Sequence, residues 1–293
     1  MSIRSGSGEN GARLETARER AAEVLLGSQL EEIVELVVTS PEPDTYEARS
    51  ADGAVSFRRS PVRTGWTFET IATTGRNPLG IQDPSSFSPL REEMRSLRPA
   101  RDANSYPFAF EHVAQVFDHP CAPDLLVVHS AAHCYGGNIG QHGSMDAVQA
   151  RAPLVVAGAG VRKLGTLERH CRLIDVAPTI LALLGVETAP GNGANGAERD
   201  DVFLSRQDGE PLLDLVQPGG AQHVVAILLD GCNPNVLYDM AGSGEAQNVA
   251  RLMSMGSAFA HGAMASLPTV TLANHTSLLT GCHPGHHGIL HNA

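Results

Sequence analysis

The feature that most restricts the fold is a set of short apolar runs, each closed by a small or polar residue. They are "APDLLVVHS" at 122–130, "RAPLVVAGAGV" at 151–161 and "HVVAILLDG" at 223–231. Runs of this kind, bounded by turn signals, suit strands covered on both faces. Between them "CRLIDVAPTILALLGV" (171–186) reads as a helix, with Asp175 near its start and Gly185 just past its end, where a left-handed cap belongs. Buried strands alternating with helices predict an α/β chain with a mostly parallel central sheet and helices on both faces. In such sheets ligands gather at the C-terminal ends of strands. That singles out Asp230, directly after "VVAILL"; an Asp before Gly equally suits a turn that caps the next element.

The remainder of the chain is more ordinary. Residues 1–13 are Gly, Ser and charge, and read as a disordered tail. "ARLETARERAAEVLLG" follows as an amphipathic helix ending at Gly27. "IVELVVTS", "TYEARSA" and "AVSFRRS" read as strands of a meander, with "ADGA" as a turn. From about 60 to 105 the Pro- and Ser-rich sequence reads as a long surface connection, and "ETAPGNGANGAERDD" (187–201) as a loop. "QPGG" (217–220) reads as a linker between regions 14–216 and 221–293.

Composition narrows the partners. A formal charge of −11 disfavours a nucleic-acid backbone as the main partner, although bound divalent metals would reverse the local field for a phosphorylated small molecule. No apolar run reaches the length of about 18 residues that a membrane span needs, and the N-terminal sequence has no apolar leader core, so the reading is cytoplasmic. The five cysteines are scattered without a CxxC pair, which suits buried free thiols rather than a disulfide framework or zinc ribbon. Oligomeric state is not legible.

The last stretch, "SLPTVTLANHTSLLTGCHPGHHGILHN" (266–292), carries the chemistry. "TLANHTSLLTG" predicts a short helix with Thr271 at or just before its N-terminus and Gly281 as its C-terminal cap. A hydroxyl there meets free backbone N–H groups and the positive end of the helix dipole, which suits a phosphate; plain N-capping is the structural alternative. "HPGHHGILHN" then returns the chain and brings Asn292 back as a donor to an anionic oxygen. The histidines between His261 and His291 fall in turn-rich sequence and are read as solvated or structural.

Taken together, "ILLDG…LPTVTLANHTSLLTGCHPGHHGILHN" resembles the N-terminal motif block of the alkaline phosphatase superfamily, in its type I phosphodiesterase/nucleotide pyrophosphatase branch. It is also similar to the phosphonoacetate hydrolases of that superfamily, which keeps phosphonates as an alternative substrate class. The resemblance implies that Asp230 and Thr271 are ligands of one metal, that Thr271 is the nucleophile, and that Asn292 holds a non-bridging phosphoryl oxygen. "APDLLVVHSAAHCYGGNIGQHGSMDAVQARAPLVVAGAGV" resembles the C-terminal end of the same superfamily, whose H-G-S block supplies a histidine ligand for the second metal and maps onto His142. The two parts stand in inverted order. That order implies a circular permutation or the junction of tandem copies, with the chain apparently truncated after Asn292.

The implied function is metal-dependent hydrolysis of a small-molecule phosphate ester, a diester or pyrophosphate, through a phospho-threonine intermediate. The implied cofactor is two zinc ions, with manganese as the other option. Two further Asp/His pairs of the superfamily, D-x-x-G-H and D-H-G, do not occur. Asp118–His119 is the sole Asp-His pair, and it lacks the following Gly. The rival reading is therefore a catalytically incomplete fragment or a non-catalytic binding module of the same fold.

Overall fold

A computed structural model describes residues 9–30, 32–96, 100–130 and 142–292. Helix α1 (Glu9–Leu25) leads into a run of strands, β1 (Val34–Glu42), β2 (Thr45–Ser50), β3 (Gly53–Val62) and β4 (Gly65–Gly75). After α2 (Leu90–Arg95) and α3 (Ala109–Val116), strand β5 (Leu126–His129) completes a five-stranded sheet of order β4-β3-β2-β1-β5. Every pairing in it is antiparallel. Alternation explains the meander: Tyr46, Ala48, Val55 and Phe57 point into a core that Leu36, Val113, Phe117 and Val128 fill from β1, α3 and β5. Arg59 is next on the inward register of β3, and its charge has to be met at the end of that core.

Short strands build the other half: β6 (Arg151–Ala152), β7 (Val155–Ala157), β8 (Gly165–Leu167) and β9 (Cys171–Arg172). A 3₁₀ turn (Leu173–Asp175) enters α4 (Val176–Leu183), and β10 (Ala189–Asn192) pairs with β11 (Glu198–Val202). Then come α5 (Pro234–Ser243), α6 (Gln247–Met255), β12 (Gly256–Phe259), β13 (Ala263–Met264), α7 (Thr271–Thr280) and α8 (Pro284–His287). Strand β12 lies between β7 and β8, and β13 between β6 and β9. A second core of Leu173, Leu183, Leu215, Phe259 and Leu278 sits beneath them.

The chain is thus mixed α/β, but the mostly parallel central sheet expected from the apolar runs is not found among the described residues. Among the described strands, parallel pairing joins only β12 with β8 and β13 with β9, beside one isolated parallel bridge between Asn192 and Arg206. The reason lies in the runs themselves. The segment "HVVAILLDG" joins no strand, and Val225 and Ile227 are 83% and 75% exposed, so an apolar run declared a need for burial that no neighbour meets. "RAPLVVAGAGV" forms only the short β6 and β7. The long connection expected at 60–105 contains β4 and α2, and the loop expected at 187–201 holds the β10–β11 hairpin. Helix α1 covers residues 9–13, which composition had assigned to the tail; residues 1–8 lie outside the described residues. Among the described residues no helix is long and apolar enough to cross a membrane.

Candidate active site

Helix α7 organises the site. Its N-cap position is Val270, in extended conformation, and Gly281 closes it in the left-handed region at φ 66°, as the sequence predicts. Thr271 is therefore the first helical residue, on the turn where backbone N–H groups have no partner inside the helix.

The approach to Thr271 is fixed by one buried side chain. Asn274 Oδ1 accepts the Ser266 N–H at 2.7 Å, while its amide nitrogen donates to Ser266 O (3.0 Å) and Pro268 O (2.9 Å). The Asn of the P-T-x-T-x-x-N block is thus a clamp on the loop that delivers Thr271. Asn274→Ala leaves the buried Ser266 N–H and O unpaired, and at 1–3 kcal/mol for each unsatisfied group it should cost about 2–3 kcal/mol. Urea unfolding measures this, and an unchanged midpoint would remove the clamp from the account.

The residues singled out in the sequence come together in part. Thr271 Oγ1 donates to Asp230 Oδ1 at 3.3 Å, across a separation of 41 residues in the chain. Asp230 is exposed, at the end of the unpaired segment. Its loop is tied down three residues later, where Glu93 of α2 accepts from Asn233 at 2.8 Å and also from Asn235. Asn292 returns from the far side, and its Oδ1 accepts the Leu272 N–H at 2.8 Å. That bond fixes the amide orientation, because an N–H can only meet the oxygen. The Asn292 NH₂ is left as the donor end, next to Thr271.

His142 is exposed, and no described contact joins its ring to Asp230 or Thr271. Its neighbourhood does adjoin the site: Gly143 N–H donates to Thr269 Oγ1 at 2.9 Å, and Thr269 Oγ1 donates to Ser144 O. The "HGS" segment is thus hydrogen-bonded to the "PTVT" segment from a distant part of the chain. The His142 carbonyl meets His129 Nε2 at 3.2 Å. His133 and Cys134, in the intervening "AAHCYGGNIGQ", lie outside the described residues.

A second cluster was not legible beforehand. His286 of α8 faces two carboxylates, with Nδ1 at 2.5 Å from Asp208 Oδ2 and Nε2 at 2.9 Å from Asp118 Oδ2. Asp118 is gripped through both oxygens by Arg59, whose guanidinium also bonds Asp44 and lies 3.8 Å from the Trp66 ring centroid. Both Asp118 oxygens are therefore engaged, so the Asp118–His119 pair does not form a free ligand set. His283 is buried, with Nδ1 at 2.8 Å from Ser266 Oγ and Nε2 at 3.2 Å from Glu111, and Glu111 pairs with Arg172. These two histidines are buried and hydrogen-bonded to carboxylates rather than solvated. The one signal in the sequence was Arg59 at an inward strand position.

Charge follows this geometry. Burial disfavours ionised Asp118, yet His286 and Arg59 outweigh it and hold the carboxyl at about 2. Asp208 is likewise held below the ordinary range, because His286 and His283 overcome its burial. Burial acts against protonated His286, but the bonds to Asp118 and Asp208 prevail and raise it.

No group of three or more His, Cys, Asp or Glu that could hold a metal occurs among the described residues. Asp230 and Thr271 offer two oxygen donors at one point, which is short of a catalytic zinc site with about three protein ligands. The described residues do not fit a complete metal centre.

Comparison with curated proteins finds no match, and neither does comparison with solved structures. Residues 224–293 match the family model of type I phosphodiesterase / nucleotide pyrophosphatase, so the segment that carries Asp230, Thr271 and Asn292 is the segment similar to that family.

Proposed function

We propose that this chain hydrolyses phosphate esters, diesters or pyrophosphates, with Thr271 as nucleophile and a phospho-threonine intermediate. The observation that carries the reading is the Thr271–Asp230 hydrogen bond at the N-terminus of α7, closed by Asn292. Asp230 orients the hydroxyl and takes its proton as the Thr271 oxygen bonds to phosphorus. The ester oxygen leaves with the electrons of its P–O bond, and water then cleaves the phospho-threonine. The Asn292 NH₂ and the positive end of the α7 dipole, where Leu272 N–H is already held by Asn292 Oδ1, face the negative charge that develops on the phosphoryl oxygens.

Divalent metal, two zinc ions or manganese, belongs to this proposal through the likeness of residues 224–293 to the family. A cation would offset the repulsion between exposed Asp230 and an anionic ester, with His142 as a ligand to a second ion. The hydrogen bonds that join Gly143 and Ser144 of the H-G-S segment to Thr269 support reading 14–216 and 221–293 as the tail and head of one alkaline phosphatase-like domain in permuted order, joined at 217–220. Segment 224–229 would then take a place in its parallel sheet.

Asn292→Ala should lower turnover by about 10²–10³-fold, the range for loss of one oxyanion donor. Steady-state hydrolysis of an aryl phosphodiester measures it, and an unchanged rate would remove Asn292 from the site.

A second reading, a catalytically incomplete module of the same family, is favoured by one observation: the missing group of metal ligands among the described residues. Elemental analysis after zinc loading and dialysis separates the two. About two metals per chain, as in two-metal phosphoryl-transfer sites, supports the enzyme. One or none, with only background hydrolysis, supports the incomplete module.

A further inference from the structure

We propose that His286 is a positioning residue, an imidazolium that bridges Asp118 and Asp208 and so holds the exit of the 283–288 turn, and through it Asn292, against the N-terminus of α7. The inference rests on the proposed roles of Thr271 and Asn292, but its geometry is independent of any reaction. Both ring nitrogens of His286 face carboxylate oxygens, at 2.5 and 2.9 Å. Neither carboxyl has an oxygen that calls for its own proton. Asp118 also accepts from Arg59, and Asp208 Oδ2 also accepts the His283 N–H at 2.6 Å. Two acceptors require two donors, and only the doubly protonated ring supplies them. A neutral tautomer turns one lone pair towards a carboxylate whose side chain is 0% or 19% exposed.

The groups around this ring account for the charge. From β3 comes Arg59, and from the segment after α3 come Asp118 and His119, the latter beside Gly288. Arg206 and Asp208 approach from the segment after β11, with Arg206 Nε at 3.4 Å from Asp208. His283, on the same turn, lies 6.1 Å away between ring centroids and is itself paired with Glu111 of α3. His287 bonds Ser277 of α7 at 3.0 Å, and burial pushes it towards the neutral form. Buried Cys282 has its thiol pushed up to about 12. A cavity of about 620 Å³ borders His286 and gives it a path to solvent protons.

The start of the turn has anchors of its own, since Gly285 N–H donates to Gln115 Oε1 at 2.7 Å. Its exit is tied to α7 by His287, whose Nε2 lies 3.0 Å from Ser277 Oγ and whose Nδ1 accepts the Ile289 N–H at 3.2 Å, and His286 adds the contacts to Asp118 and Asp208 beside that tie. From His286 the chain runs six positions to Asn292, whose Oδ1 holds the Leu272 N–H. Loss of the His286 proton leaves Asp118 and Asp208 facing each other across a neutral ring, and repulsion then loosens the exit and the Asn292 bond with it.

The test is a pH titration of the full chain by ¹⁵N-resolved NMR, following the His286 ring and the Leu272 amide. The expected result is two protonated ring nitrogens at pH 6, loss of one proton with a midpoint above the ordinary histidine value of about 6.5, and a Leu272 amide shift with the same midpoint. His286→Gln should abolish the Leu272 titration. Asp118→Asn, which removes one carboxylate while keeping an acceptor for Arg59, should move the midpoint down and serves if the Gln variant does not fold. A ring singly protonated at pH 6 would overturn the proposal, as would a Leu272 amide that stays put while His286 titrates. These resonances are read without substrate, so failure of the phosphoesterase reading would show in turnover and leave this result standing.

Discussion

Thr271→Ala brings hydrolysis of an aryl phosphodiester down to the rate without protein, while the folded state is kept. Removing the attacking oxygen takes away the covalent step altogether. The loss should therefore exceed the about 10²–10³-fold expected for a single oxyanion donor. Stability should change little, because Thr271 is half-buried and its described side-chain bond is the 3.3 Å contact to exposed Asp230; surface changes of this kind usually stay within about 0.5 kcal/mol. Two measurements check the role. Steady-state rates give the loss, and mass spectrometry of acid-quenched protein should find a phosphoryl group on the Thr271 peptide of the wild type alone. Retained turnover in the Ala variant would end the mechanism. Loss of turnover together with loss of folding would place Thr271 in the scaffold instead.

The largest effect on stability should come from Asp208→Ala. The Asp208 side chain is 0% exposed, and it accepts from the His283 N–H, from His286 and from Arg206. Removing one partner of a buried ion pair costs about 3–5 kcal/mol, because the charge left behind is uncompensated. Here the penalty should depend on pH, with signs that follow from the shifts. Asp208 and Asp118 are held below their ordinary values, so their contribution is present above about 3.9 and is lost as pH falls through the folded values. His286 is raised, so its contribution is complete below about 6.5 and is lost as pH rises through its folded value. Both are complete between those limits. Urea unfolding of the variant near pH 5.5 should show the full cost, and at pH 9 a smaller one, since a neutral His286 no longer needs two carboxylates. A cost that is small at both pH values would show that the bridge contributes nothing.

Local structure around the site was legible in the sequence where a single residue settles it. Gly281 needs the left-handed conformation that ends a helix, Thr271 falls one helix length before it, and Asp230 follows an apolar run. Their convergence was legible only through resemblance, because 41 residues separate Asp230 from Thr271. The parallel sheet is not found among the described residues for a related reason. Apolar runs record that a segment suits burial, not which neighbour will cover it, and Val225 and Ile227 remain exposed. Strand β4 was missed because "GWTFETIATTG" mostly faces outward, so it lacks the apolar alternation that marks a half-buried strand. The charged cluster drew its members from β3, the segment after α3, the segment around 208 and α8, and no local pattern links such positions.

The placement of β12 and β13 has a consequence for synthesis. Each is the middle strand of its sheet, with partners drawn from 151–172. While the chain is being made, β6, β7, β8 and β9 exist before anything they can pair with. One sheet cannot close until Phe259 has left the ribosome, nor the other until Met264 has. For the time it takes to translate some ninety residues beyond Arg172, at about 5–20 residues per second, those edges stand open to other strands. The nascent chain, rather than the finished protein, is therefore where aggregation competes with folding, and slower translation after residue 172 should lower the soluble yield.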